Sequence, residues 1–161
     1  MKPRYIKPES VKALERLADE KDLAKYPNLP FHIAAKYRDD TANSLTRCVI
    51  DWIKLNGYQA ERINTMGRPI DNRQQVTDVC GRTRTIGGIT WVQTTSTTGS
   101  ADISAIINGR SVKIEVKIGR DRQSEAQRQY QEDIEKAGGI YIIVKCFDDF
   151  MEWWNRKECW L

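Results

Sequence analysis

Residues 102–118 read DISAIINGRSVKIEVKI. Two runs of alternating apolar residues flank Asn108-Gly109, the dipeptide favoured in a two-residue type I′ turn, where both central residues need positive φ. If these residues form the turn, Ile107 pairs with Arg110. Each outward step then moves one residue along each strand and brings Asp102 opposite Glu115. One face of this hairpin carries Ile103, Ala105, Ile107, Val112, Ile114, Val116 and Ile118. The other carries Asp102, Ser104, Ser111, Lys113, Glu115 and Lys117. A slip of one residue would mix carboxylates and isoleucines on both faces, so the pattern itself selects the register.

Working outward, Ser124 followed by Gln127 forms a capping box, and Ala126, Tyr130, Ile134 and Ala137 give a helical stripe that ends at Gly138-Gly139. Ile140 to Lys145 reads as a buried strand. Because strand, helix and strand follow one another, the last two strands are expected to be parallel. A closing helix is expected from about Asp148, carrying Phe150, Trp153 and Trp154. On the other side, Leu45, Cys48, Val49, Trp52 and Ile53 follow the helical period after Asp39-Asp40, and Gly57 stops that helix. Residues 58–64 read as a strand. The polar stretch from there to Thr98, with Val76, Val79, Ile86, Ile89, Trp91 and Val92 as β-formers, suggests one or two irregular hairpins. Nearer the N-terminus, Ser10 is expected to cap a helix striped by Val11, Leu14, Leu17 and Ala18, which Pro27 and Pro30 end. The reading is an α/β chain with a mixed central sheet flanked by helices. It divides into an N-terminal helical extension, residues 1–38, and a core domain, residues 39–161.

The 161 residues are 40 % hydrophobic, enough for a single core. No stretch approaches the roughly 18 apolar residues of a membrane helix, and MKPRYIKPES carries no apolar run behind its basic residues. A soluble, cytoplasmic protein without a membrane partner is expected. Cys48, Cys80, Cys146 and Cys159 form no CxxC pair and His32 is the single histidine, so neither a structural zinc site nor a disulfide framework is expected. The net charge of +4 decides little. Its distribution says more, because Arg62, Arg68, Arg73, Arg82 and Arg84 stand against only Asp71 and Asp78 between residues 62 and 84. This excess reads as a phosphate-contacting surface, with an ordinary solvated loop as the alternative. Arg68, Arg73, Arg82 and Arg84, with Lys113 on the hairpin, are the candidate DNA-binding residues.

Two carboxylates on directly opposed strand positions repel unless a cation or proton lies between them. A divalent ion resolves this, and hard oxygen ligands suit Mg²⁺ or Mn²⁺. Lys117, two residues beyond Glu115 on the same face, would orient or deprotonate an attacking water, with the metal as Lewis acid. The alternative is a solvated, salt-bridged strand face, as many polar strand faces are.

GSAD at residues 99–102, IEVK at 114–117, SEAQ at 124–127 and AGGIYIIV at 137–144 follow in an order and spacing that resemble the VRR-NUC branch of the PD-(D/E)XK nucleases. The resemblance covers about residues 39–154. It implies a restriction-endonuclease-like αβββαβ core and hydrolysis of DNA phosphodiesters with Mg²⁺ or Mn²⁺. Asp102 and Glu115 would ligate metal, the Val116 carbonyl would be a third ligand, Lys117 would be the catalytic lysine, and Gln127 would reach the site from the first helical turn. Many relatives carry a glutamate in the first turn of the helix before the first strand. Here Asn43 or Thr41 falls at that place, with Asp39 or Asp40 as a substitute from just before the helix. Asn43 and Ser100 are auxiliary candidates. Glu61 is read as an ion pair with Arg62. No separate sequence-reading module is visible, so structure-selective cleavage of branched or Holliday-junction DNA is expected. A homodimer is expected as well, with Leu14, Leu17, Trp153, Trp154 and Trp160 as candidate interface residues. The alternative is a catalytically weak or inactive DNA-binding protein of the same fold.

Overall fold

The computed structural model describes residues 5–28, 30–64, 67–92 and 97–156. Its elements are α1 (Glu9–Lys25), α2 (Ala42–Leu55), β1 (Gln59–Arg62), β2 (Arg68–Asp71), β3 (Gln74–Thr77), β4 (Thr83–Ile86), β5 (Ile89–Val92), β6 (Ile103–Ile107), β7 (Arg110–Val116), α3 (Glu125–Lys136), β8 (Ile140–Val144) and α4 (Phe147–Arg156). A mixed four-stranded sheet in the order β1-β6-β7-β8 is the centre of the molecule. β6 is antiparallel to both β1 and β7, and β8 runs parallel to β7.

The hairpin has the register its turn dictates. Asn108 and Gly109 both adopt positive φ, 50° and 74°. Ile107 faces Arg110, and Ile103 faces Ile114. Its apolar face is the floor of the core: Ile103, Ala105, Val112 and Ile114 are fully buried, together with Leu45, Val49 and Ile53 of α2 and Phe147 and Phe150 of α4. Burying such side chains stabilises the fold by roughly 1.5–3 kcal/mol each. On the opposite face lies α3, whose Tyr130 ring meets Tyr141 of β8 edge-on at 6.3 Å.

Several helix ends differ from expectation. α1 starts at Glu9 behind Pro8, with no side-chain cap, and Ser10 lies inside the first turn. The fixed φ of proline suits a helix entry, and the Pro8 carbonyl accepts the Lys12 N–H at 3.3 Å. Val11 and Leu14 are fully buried in the common core. The segment after α1 is pinned to it, since Glu15 accepts the Tyr37 N–H at 2.8 Å and Asp19 accepts the Ala35 N–H at 2.7 Å. α2 is capped reciprocally by Thr41 and Ser44.

Asp39 caps a different helix from the one it precedes: its Oδ2 accepts the Phe147 N–H at the start of α4 at 3.1 Å, and its Oδ1 accepts the Tyr5 hydroxyl at 2.8 Å. Asp40 pairs with Arg38. Both acids are therefore engaged with partners other than the residues of the polar hairpin face.

Between β1 and β6 the chain leaves the sheet as an exposed two-stranded arm formed by β2 with β5 and by β3 with β4. Among the described residues Cys48, Cys80 and Cys146 are free thiols. No helix among them is long and apolar enough to cross a membrane. Cys159 and Trp160 lie outside the described residues.

Candidate active site

Asp102 stands one residue before β6, where β1 and β6 are still paired through the Ile63 N–H and the Asp102 carbonyl at 2.8 Å. Its side chain reaches across the hairpin, and Oδ2 accepts the Val116 N–H at 2.9 Å. Glu115 projects from β7 on that face and is only 2 % exposed. Burial pushes its carboxyl above the ordinary range, Lys117 draws it back, and the charge of Asp102 adds to the rise.

The Lys117 ammonium lies 3.0 Å from Glu115 Oε1 and 3.3 Å from Asp121 Oδ2, and it is itself buried. Desolvation works against its charge, yet the carboxylates of Glu115 and Asp121 more than offset this and hold the ammonium above its usual range. A solvated strand face is excluded for this pair, because α3 and β8 cover it.

Gln127 joins the parts. Its amide donates to Glu115 Oε1, and its Oε1 accepts from Lys117 Nζ at 3.1 Å and from the Ser124 N–H at 3.0 Å. The Gln127 N–H in turn donates to the Ser124 hydroxyl at 3.2 Å. One side chain thus completes the capping box of α3 and fixes the Glu115–Lys117 pair.

Two partners were not read from the sequence. The Tyr141 hydroxyl lies 3.5 Å from Glu115 Oε2, and Tyr141 is buried opposite Lys113. Its position depends on the parallel register across α3, which no local turn specifies. Asp121 reaches Lys117 from the loop after β7, and its signal was only an acid four residues on.

Gly99 is the third contributor. Its φ is +81°, and a Cβ there would lie 2.4 Å from the Ala126 carbonyl carbon and 2.8 Å from the Gln127 nitrogen. The glycine of GSAD therefore lets the loop before Asp102 rest on the first turn of α3.

The remaining candidates lie apart from this cluster. Ser100 turns back on its own loop and donates to the Thr97 carbonyl at 2.5 Å. Asn43, in the first turn of α2, accepts from Arg62 at 2.9 Å. That also overturns the Glu61–Arg62 pair: adjacent strand residues point to opposite faces, and Arg62 goes to α2. Lys113 is one row from the carboxylates and donates to the Ser104 hydroxyl at 2.6 Å. Arg68, Arg73, Arg82 and Arg84 are all on the arm. Of the expected interface residues, Leu14 and Trp154 are buried in the core, while Leu17 and Trp153 are half-buried, Trp153 packing one side against that core.

Among the described residues no three His, Cys, Asp or Glu side chains converge on one point that could hold a metal. Asp102 and Glu115 offer two carboxylates. Glu115 and Asp121 both contact the Lys117 ammonium and Asp102 adds its charge beside Glu115, an excess of negative charge a divalent cation would relieve. The donor set is all oxygen and suits a hard cation that keeps several waters. No protein-family model matches the chain, and no curated protein matches it.

Proposed function

We propose that the chain is a divalent-metal-dependent endodeoxyribonuclease of the PD-(D/E)XK type, acting on duplex or branched DNA. The observation that carries this reading is the buried Glu115 carboxylate beside Asp102, with Lys117 held against it by Gln127. A lysine and a glutamate kept this dry are costly to fold, since each loses its hydration and must be paired to persist. Such an arrangement is often retained for chemistry. The order α2-β1-β6-β7-α3-β8 also supports the restriction-endonuclease-like core that the sequence resemblance implies.

Asp102 and Glu115 would hold Mg²⁺ or Mn²⁺. The Val116 carbonyl would add a third oxygen, since an extended residue sends its N–H and C=O to the same side and the Val116 N–H points to Asp102. The ion would act as Lewis acid on the phosphodiester and lower the pKa of the attacking water. Lys117 orients that water and offsets negative charge as the water oxygen bonds to phosphorus and the bridging P–O bond breaks, the water's proton passing to solvent and the departing oxygen taking one from solvent. Gln127 keeps the lysine from swinging away, and Lys113 offers positive charge one row along the face.

A homodimer with two-fold symmetry belongs to the same reading, because two-strand cleavage by a single catalytic set needs two copies. Light scattering, free and with junction DNA, decides this point. The second reading, a weak or inactive DNA-binding protein, is favoured by Asn43 in place of an acid and its commitment to Arg62.

Plasmid nicking in Mg²⁺, Mn²⁺ and EDTA separates the two. Metal-dependent nicking is expected, falling roughly 10²-fold or more in Asp102→Asn, Glu115→Gln and Lys117→Met. Binding of junction, flap and duplex substrates with no cleavage in either metal would leave the second reading standing.

A further inference from the structure

The arm is one ribbon with one interruption. Arg68 faces Val92, Asp71 faces Ile89, Gln74 faces Ile86 and Thr77 faces Thr83, so neither strand gains a residue across the break at Gly87-Gly88. The Asn72 N–H still donates to the Gly88 carbonyl there at 3.0 Å. Gly87 is required at this point, since its φ is +89° and a Cβ would lie 2.3 Å from the Asn72 carbonyl oxygen. Beyond β3 the pairing continues to Asp78 and Arg82, whose N–H and carbonyl bond at 3.0 Å.

In an unbroken register alternate residues share a face. The register count is the same on both sides of the glycine break, and by that count Arg68, Arg82 and Arg84 take one face, with Ile70, Gln74, Val76, Asp78, Ile86, Thr90 and Val92. Arg73 stands on the other, neutralised by Asp71 at 2.6 Å. Asp78, opposite Arg82 on the first face, accepts the N–H groups of Cys80 and Arg82 and keeps its negative charge there. Among the described residues no acid pairs with Arg68, Arg82 or Arg84. The ribbon therefore presents three guanidinium groups against one carboxylate on a single face, while the other face is neutral at Arg73. Arg84 stands opposite Val76, roughly 26 Å along the ribbon from Arg68 at about 3.3 Å per residue.

Among the described residues nothing covers this face. Ile86 is 45 % and Val92 42 % exposed, and a two-stranded ribbon alone is marginally stable in water. Charge decides the occupant: three aligned arginines on a narrow ribbon fit a polyanion. A two-stranded ribbon fits the major groove of B-DNA, about 12 Å wide, and this one is about as long as one helical turn. The ribbon leaves the sheet after β1 and returns just before Asp102, so its root lies at the sheet end that carries the carboxylates.

We propose that residues 68–92 form a ribbon that enters the major groove of duplex DNA with its Arg68, Arg82 and Arg84 face and presents the adjoining backbone to the Asp102–Glu115 site. The inference takes its substrate class from the nuclease reading. Binding alone tests it.

The full chain and the triple variant Arg68→Gln/Arg82→Gln/Arg84→Gln are titrated, in EDTA, with a labelled duplex of about twenty base pairs, with the same sequence as a single strand, and with a duplex carrying glucosylated 5-hydroxymethylcytosine, which fills the major groove. Melting curves check that the exposed substitutions leave the fold intact. The parent chain is expected to prefer the plain duplex over both other probes. The triple variant should weaken duplex binding at least tenfold and lower the log–log salt slope by about 2 to 3. Arg73→Gln, on the neutralised face, should lower the slope by less than about 1. Unchanged affinity and slope in the triple variant, an equal effect from Arg73→Gln, or equal binding of plain and glucosylated duplex each overturns the inference. So does a triple variant that loses self-association instead of DNA. A parent chain that binds as described but never cleaves with Mg²⁺ or Mn²⁺ defeats the nuclease reading and leaves the ribbon standing.

Discussion

Gly99 rests so closely on Gln127 that a β-carbon on the glycine would lie 2.8 Å from the glutamine backbone nitrogen. The loop that delivers Asp102 and the helix turn that holds Glu115 and Lys117 are thereby in direct contact, and each sets the position of the other.

Gly99→Ala is expected to destabilise the chain by about 1–3 kcal/mol, through the clash with backbone and the positive φ together. Because the backbone of α3 cannot yield as a side-chain tip can, activity should fall with stability. Thermal melting and nicking on one preparation measure both. A variant that melts with the parent would mean that the loop and α3 are not in contact.

Glu115→Gln should reveal a pH-dependent cost. The folded carboxyl holds its proton to higher pH than an unfolded glutamate, whose ordinary value is about 4.5. Rising pH therefore deprotonates the unfolded chain first, and the parent loses stability from about pH 4.5 up to the raised folded value. The glutamine variant does not titrate, so its stability relative to the parent should grow across that window and level off above it. Metal-free urea melts from about pH 4 to about pH 8 read this difference. A flat difference, or one that shrinks with pH, contradicts the buried carboxyl.

Asp39→Ala separates structure from chemistry. The substitution removes the α4 cap and the partner of Tyr5, at an expected cost of about 1–2 kcal/mol. Mn²⁺ affinity by calorimetry should not change. If it drops, Asp39 takes part in the metal site after all.

Leu14→Ala asks whether α1 is separable. Leu14 is fully buried in the common core, so roughly 2–5 kcal/mol of stability should be lost in one cooperative transition. An unaffected melting temperature, or a separate early transition for the first 38 residues, would make α1 an appendage.

The register of the central hairpin was legible because it is local. Asn108-Gly109 admits the two positive φ angles of a type I′ turn, and a period of two on each side forbids a slip, so Asp102 and Glu115 had to face each other. The capping box at Ser124 and Gln127 was legible for the same reason. That Gln127 reaches the site at all is implied only by the resemblance, and it is the fold that makes it a bridge between Glu115 and Lys117.

Residues far apart in sequence account for everything else. The burial of Glu115 and Lys117 requires α3 and β8 to cross over the polar face; before that closure the same residues read equally well as a solvated ion pair. Asp39 meets Phe147 across the chain and becomes a cap for a helix it does not precede, which no pattern around either residue encodes. The arm reads as one ribbon only once its two halves share a register through a glycine break. A turn and a period are fixed by sterics among neighbours, and those the sequence determined by itself. Desolvation of a charge, the partner of a distant acid and the face an arginine finally takes depend on which segments pack together. Those were decided by the tertiary structure alone.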